Sequence, residues 1–349
     1  MRYSKRIAIL LIALIFLAFT AGCVNSENSA KTGTAGSTAE IENSAKTGST
    51  SLTEAASSGK NETGKPDDTQ SSAIVITDMT GREVKLDAPA ERIVVLDASD
   101  CEILYAIDAG DKVVGRGEYC NYPEEVNAVP SVQSGSETNI EQIIALEPQI
   151  VLMTKMGQAV EQVEALENAG IKVFASDAQK IEDVYTAIEL IGAITDKNEK
   201  AAAVVSDMKK AFSDIKSKVQ DGDRKKVYFE VSPLEWGLWT AAKGTFMDEL
   251  SDMLGLENIF SDVSGWAEVS QEQVIERNPD IIVTIAMYFG EGATPVEEIM
   301  GRDGWQNIAA IKNSRVLCAD QNEISLPGPR LVDGAASLYE FVYGNGGGK

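Results

Sequence analysis

The chain has 349 residues, 44% of them hydrophobic, which is enough to fill one or two globular cores. Its 31 basic and 54 acidic side chains leave a formal charge of −23, and a surface of that sign repels phosphate backbones, so nucleic acid is disfavoured as a partner. Histidine is absent, which removes the usual general base near neutral pH, the commonest metal ligand and the usual proximal ligand of haem.

At the N-terminus Arg2, Lys5 and Arg6 precede an apolar run from Ile7 to Phe19, then Thr20, Ala21, Gly22 and Cys23. Basic flank, apolar centre and small-residue site follow one another as in an export signal, and the apolar stretch is shorter than the ~20 residues of a membrane span. Residues 1–22 are therefore predicted to be a signal peptide. Cysteine directly after Ala-Gly resembles the lipobox of bacterial lipoproteins, with Thr20 where leucine is usual, and implies a lipid on Cys23. The alternative is ordinary cleavage beside an incidental cysteine. From Cys23 to Ser72 the sequence carries almost no large apolar residue, and Glu27-Asn-Ser-Ala-Lys-Thr-Gly33 recurs as Glu42-Asn-Ser-Ala-Lys-Thr-Gly48. Such a segment buries too little surface to offset ordering entropy and reads as a disordered tether.

The folded region begins with two short strands around Thr80-Gly81, ending at Leu86. A first α/β lobe, 73–180, then alternates: strand Ile93–Leu96, helix Cys101–Ala109, strand Val113–Gly115, helix Ile140–Leu146, strand Gln149–Met153, helix Val160–Ala169 and strand Ile171–Ala175. Residues 181–222 keep helical spacing throughout, with a joint expected at Gly192–Asn198, and read as a linking helix. A second α/β lobe, 223–345, carries strands at Val227–Val231, Ile281–Ile285 and Val316–Ala319, and helices at Thr245–Leu254, Gln271–Arg277 and Leu331–Tyr343. The alternation predicts mostly parallel sheets.

The two lobes match without a gap at one place: Asn139-Ile-Glu-Gln-Ile-Ile-Ala-Leu-Glu-Pro-Gln-Ile-Val-Leu152 against Ser270-Gln-Glu-Gln-Val-Ile-Glu-Arg-Asn-Pro-Asp-Ile-Ile-Val283. Each copy reads as a cap, a short helix, a Pro that ends it and a buried strand. Glu141 and Glu272 fall at the second helical position, with Gln142 and Gln273 at the third completing a capping-box pattern. A first-turn carboxylate gains about 0.3–1 kcal/mol from the helix dipole, which accounts for acidity there but not for one exposed Glu in each lobe.

These segments resemble the class III solute-binding proteins of ABC importers, the group that binds vitamin B12, ferric siderophores and haem. Thr80-Gly-Arg-Glu-Val, Arg92-Ile-Val-Val-Leu, Val113-Val-Gly115 with Tyr122-Pro123, Trp239-Thr-Ala-Ala-Lys-Gly-Thr245 and Pro327-Gly-Pro-Arg-Leu-Val-Asp333 extend the resemblance over Ile74–Tyr343. It implies two Rossmann-like α/β lobes joined by a backbone helix, and a monomer that delivers its ligand to permease subunits driven by a cytoplasmic ATPase. In that family each lobe docks on permease arginines through one surface glutamate, and these positions correspond to Glu141 and Glu272.

A cleft between lobes takes binding energy from aromatic walls and orientation from a few polar groups. Candidates in loops are Tyr119, Tyr122, Trp236, Trp239, Trp266 and Tyr288, and the resemblance to vitamin B12 binders adds Asp320 as a polar contact. Arg330 could pair with an anionic group of the ligand or brace the last helix; Arg116 and Lys243 are weaker candidates of the same kind. Without histidine a bare zinc or manganese ion is disfavoured, so the expected ligand is a bulky chelate, a corrinoid or a ferric siderophore, with tyrosine-ligated haem as an alternative. No intrinsic cofactor is implied. An enzyme built around a metal cluster is the rival from another class, and GxSxG, P-loop, GxGxxG and paired CxxC signatures are all missing from the sequence. Cys101, Cys120 and Cys318 permit at most one disulfide, and the burial habits of free cysteine point to apolar packing.

Overall fold

The structure, a computed structural model, describes residues 73–135, 137–154, 160–219, 222, 224–286, 290 and 292–344. The expected signal peptide and tether, with Cys23, and Tyr288 lie outside the described residues.

Strands β1 (Ile74–Thr77) and β2 (Glu83–Leu86) pair antiparallel as a separate ribbon that turns at Gly81, where φ is 89°. In the first lobe β3 (Ile93–Val95), β4 (Val113–Gly117), β5 (Ser131–Val132), β6 (Ile150–Thr154) and β7 (Lys172–Ser176) form a parallel sheet in the order β5-β4-β3-β6-β7. Those strands are rich in β-branched residues, which suit a pleated surface covered on both faces. Ile93, Val95, Ile150 and Leu152 face one core, while Val94, Val151 and Met153 face another.

The second lobe contains β8 (Lys226–Glu230), β9 (Leu238–Ala241), β10 (Glu257–Asn258), β11 (Trp266–Val269), β12 (Ile281–Thr284) and β13 (Val316–Cys318), ordered β11-β9-β8-β12-β13 with β10 also beside β8. Strands β9 and β11 run antiparallel; β10, β12 and β13 are parallel to their neighbours. Val227, Phe229, Ile281 and Val283 face the core shared with the first lobe, and Tyr228, Ile282 and Trp305 lie in a separate cluster on the opposite face.

In chain order the helices are α1 (Ala98–Ala106), α2 (Ile140–Ala145), α3 (Val160–Asn168), α4 (Ile181–Thr195), α5 (Asn198–Ser217), α6 (Phe246–Met253), α7 (Gln271–Arg277), α8 (Pro295–Met300), α9 (Ala309–Lys312), α10 (Gln321–Ile324) and α11 (Leu331–Tyr343). The stretch expected as one linking helix over 181–222 is in fact two. Asp196 adopts a left-handed conformation at φ 56° and ends α4, inside the interval where the joint was expected. Gly192 lets the helices close, since a Cβ there would lie 2.5 Å from that of Ala201. Helix α4 packs on α1 of the first lobe while its first amide, Ile181, donates to Glu249 of α6 in the second at 2.7 Å, and the 20-residue α5 packs on α11, so both helices take part in the link. Helix α1 starts at Ala98, ahead of the apolar run read as its beginning, because the Asp97 carboxylate accepts from the Ser99 and Asp100 amides.

Candidate functional site

The internal match survives in three dimensions down to its hydrogen bonds. Asn139 and Ser270 cap α2 and α7 by accepting from the amides of Gln142 and Gln273. Each helix is followed by a residue at positive φ, Glu147 at 47° and Asn278 at 49°, and then by Pro. The next residue braces the first strand of its own lobe twice. Gln149 donates its amide to the Arg92 carbonyl (2.9 Å) and its side chain accepts from the Arg92 amide (3.0 Å), while Asp280 donates to the Lys226 carbonyl (2.8 Å) and accepts from the Lys226 amide (2.9 Å). Glu141 and Glu272 are exposed at equivalent places.

One expectation fails in the first copy. The capping box is complete at Ser270/Gln273, but the Gln142 side chain accepts from the Gln133 amide instead, because the Asn139 amide already donates to the Gln133 carbonyl. Hydrogen bonds from its own amide and from the Ser270 side chain hold the Glu272 carboxyl below its usual pKa, so it stays charged at neutral pH.

The aromatic candidates divide into two groups. Tyr119 and Tyr122 follow β4 and are each 45% exposed, as a ligand wall requires. Trp239 and Trp266 were expected in loops but lie in β9 and β11. Both strands are only four residues long and are held by pairing, β11 on β9 and β9 in turn on β8. In their register Trp239 opposes Glu268 and Trp266 opposes Ala241, which puts both indoles on one face of the ladder as diagonal neighbours. Trp236 is half-buried in the single 3-10 turn Leu234–Trp236 that leads into β9.

Arg330 is already engaged. Its guanidinium makes a two-point pair with Glu102 of α1, Nε donating to Oε2 at 3.0 Å, and lies 4.0 Å from the Tyr122 ring centroid. The pair crosses from the start of α11 in the second lobe to the first lobe. Burial raises the Glu102 pKa and Arg330 opposes that rise. Of the two roles the sequence left open for Arg330, pairing with a ligand anion or bracing the last helix, neither is seen directly: the side chain bridges the lobes through Glu102. Asp320, offered as a ligand contact, caps α10 by accepting from the Asn322 amide at 2.8 Å, though it remains exposed. Arg116 is spent on the carbonyls of Val129 and Cys120 at 3.3 and 3.0 Å. Lys243 is exposed.

Sequence reasoning missed Glu102, a carboxylate 3% exposed in an apolar helix. The signal was available: an acidic residue flanked by Cys101, Ile103 and Leu104 requires a cationic partner when buried. Also missed was Glu230 at the end of β8, paired with Arg302 through two contacts of 2.8 and 2.9 Å.

Comparison with known proteins places these features in context. Residues 93–323 match the family model described as periplasmic binding protein. The chain is 36% identical over 77% of its length to the ABC transporter substrate-binding lipoprotein YvrC of Bacillus subtilis strain 168, covering 85% of that protein. It is 26% identical over 72% of its length to the vitamin B12-binding protein of Vibrio parahaemolyticus, covering 89% of it. A crystal structure of a possible iron-binding, periplasmic solute-binding protein from Staphylococcus epidermidis superposes with a TM-score of 0.65 at 32% identity, over 73% of this chain and 99% of that one.

Proposed function

The chain belongs to the periplasmic binding protein family, and from that premise we propose that it is an extracytoplasmic lipoprotein, anchored through Cys23, that captures a metal chelate for an ABC importer. The observation that carries this reading is the duplicated module, which presents Glu141 and Glu272 as exposed carboxylates on equivalent short helices of the two lobes. Two such groups can form charge-assisted pairs with arginines of two permease subunits and register the cleft over the pore.

The ligand wall is Tyr119 and Tyr122 on one lobe, with Trp236, Trp239 and Trp266 on the other; Tyr288 belongs to the same proposal. Arg330, the cation suited to an anionic chelate, is committed to Glu102, and Asp320 adds negative charge beside it. That balance favours a neutral or cationic chelate, a corrinoid before an anionic catecholate siderophore. Tyrosine-ligated haem is less favoured at Tyr119, where partial burial and Glu118 raise the phenol pKa and oppose the phenolate that iron needs.

Two measurements test the reading. Thermal shift and tryptophan quenching with cobalamin, cobinamide, haem and ferric siderophores should show stabilisation of about 2.7 kcal/mol at 100-fold above the dissociation constant. No shift with any chelate would sink the cleft assignment. Charge reversal at both Glu141 and Glu272 should abolish uptake while leaving chelate binding intact; unchanged uptake would sink the docking assignment.

A further inference from the structure

Cys101 lies in α1 and Cys120 in the loop after β4, both fully buried and held as thiols. The Cys101 sulfur is 3.8 Å from the carbonyl of Tyr122, two residues along the same loop from Cys120, whose own sulfur lies 3.6 Å from the Val95 carbonyl. Three contacts fix the loop between them. A Cβ on Gly117 would lie 2.5 Å from the Leu96 carbonyl oxygen, the Cys120 amide donates to the Gly117 carbonyl at 3.1 Å, and Arg116 donates to the Cys120 carbonyl at 3.0 Å. The loop that carries Tyr119 and Tyr122 therefore already sits against α1, with the Cys101 sulfur on the very loop that holds Cys120.

We propose that Cys101 and Cys120 are joined as a disulfide once the chain leaves the cytoplasm, stapling the Tyr119–Tyr122 wall to α1. This rests on the export reading, because oxidising compartments are where such bonds persist. One cysteine thiolate attacks a sulfur of an oxidant of the disulfide class, a thiol oxidoreductase or glutathione disulfide, and expels the first oxidant thiolate. The second cysteine thiolate then attacks the mixed disulfide and expels the other. The two protons lost by the cysteines pass to the two expelled thiolates, so the cysteine pair loses two electrons and the oxidant is reduced to two thiols.

The hydrogen bond from Cys101, and then burial, push the Cys120 thiol well above its ordinary pKa. Both sulfurs are buried in the folded chain and out of an oxidant's reach, so the bond forms while the chain is folding. Cys318 is exposed, contrary to the expectation of apolar packing, and serves as an internal contrast.

The test uses the full chain isolated from the cell envelope, unfolded without reductant in iodoacetamide and mapped by mass spectrometry. The expected result is a peptide cross-linked between Cys101 and Cys120 with Cys318 alkylated; alkylation at both Cys101 and Cys120 overturns the proposal. In parallel the reduced full chain is refolded in a glutathione redox buffer, which separates the chemistry from the compartment. Failure to cross-link there overturns the staple wherever the chain resides, whereas recovery of the chain from the cytoplasm overturns the export reading instead. Cys101→Ala, Cys120→Ala and the double variant should share one lowering of the thermal midpoint, about 5 °C or more, and reductant should lower only the parent. Additive losses with a parent indifferent to reductant would reveal packing alone.

Discussion

The chain builds the same small unit twice, for different ends. In the second lobe Arg302 grips Glu230 through two contacts, adds Glu298, and lies 4.3 Å from the Trp305 ring. At the seam Arg330 grips Glu102 through two contacts and lies 4.0 Å from the Tyr122 ring. The first pair is interior on both sides, with side-chain exposures of 3% and 1%; the second shows 14% and 3%. A pair enclosed in one lobe is desolvated whenever that lobe is folded, so it acts as architecture. A pair shared by two lobes can be rehydrated when they part, so it couples them and biases their separation.

The largest expected effect is at the interior pair. Arg302→Ala leaves the buried Glu230 carboxylate unpaired and should cost about 3–5 kcal/mol in denaturant unfolding. Replacing both partners by neutral residues of similar size should recover most of that loss, since the desolvated charge goes too. Arg330→Ala should cost less, about 1–3 kcal/mol, because water can reach Glu102 through the seam. It should also raise the radius of gyration in small-angle scattering. Equal costs at the two arginines, with no change in scattering, would break the distinction between interior and seam.

Asp100 sharpens the comparison by offering a buried carboxylate that takes a hydroxyl, Ser176 Oγ at 3.0 Å, where the others take an arginine. Burial, then Asp97, push its pKa well above the ordinary 3.8. The folded state therefore holds a proton that the unfolded chain has already lost. The resulting contribution to stability is present below the unfolded pKa and declines as pH rises through the folded one. Asp100→Asn should flatten that decline and stabilise the protein at neutral pH, as read from thermal midpoints across a pH series; an unchanged slope would assign it to other groups. The smallest effect is expected at the surface. Glu141→Gln and Glu272→Gln should cost no more than a first-turn carboxylate gains from the helix dipole, and a larger loss at either would mean that the carboxylate is structural.

Much of the scaffold was legible because its signals are local. Ser270, Pro279 and the apolar run after it bound α7 and β12 within a few residues, and the same signs at Asn139 and Pro148 bound their counterparts. Strands β9 and β11 escaped notice because each is short and its stability comes from the partner across the ladder. The candidate wall was legible as a set of aromatics but not as a surface. Whether Trp239 and Trp266 share a face depends on register, which no single segment carries.

By itself, then, the sequence determined the alternation of strands and helices, the duplicated capped helix with its glutamate, and the joint after Gly192, all of which rest on periodicity, capping and backbone restriction within one or two turns. Only the tertiary structure decided that Arg330 meets Glu102, 228 residues away, that two tryptophans stand on one ladder, and that Cys101 reaches the loop of Cys120. Those pairings are set by how the lobes pack around a shared core. Burial then enforces them, because a charge or polar group removed from water must find its partner wherever the fold has placed it.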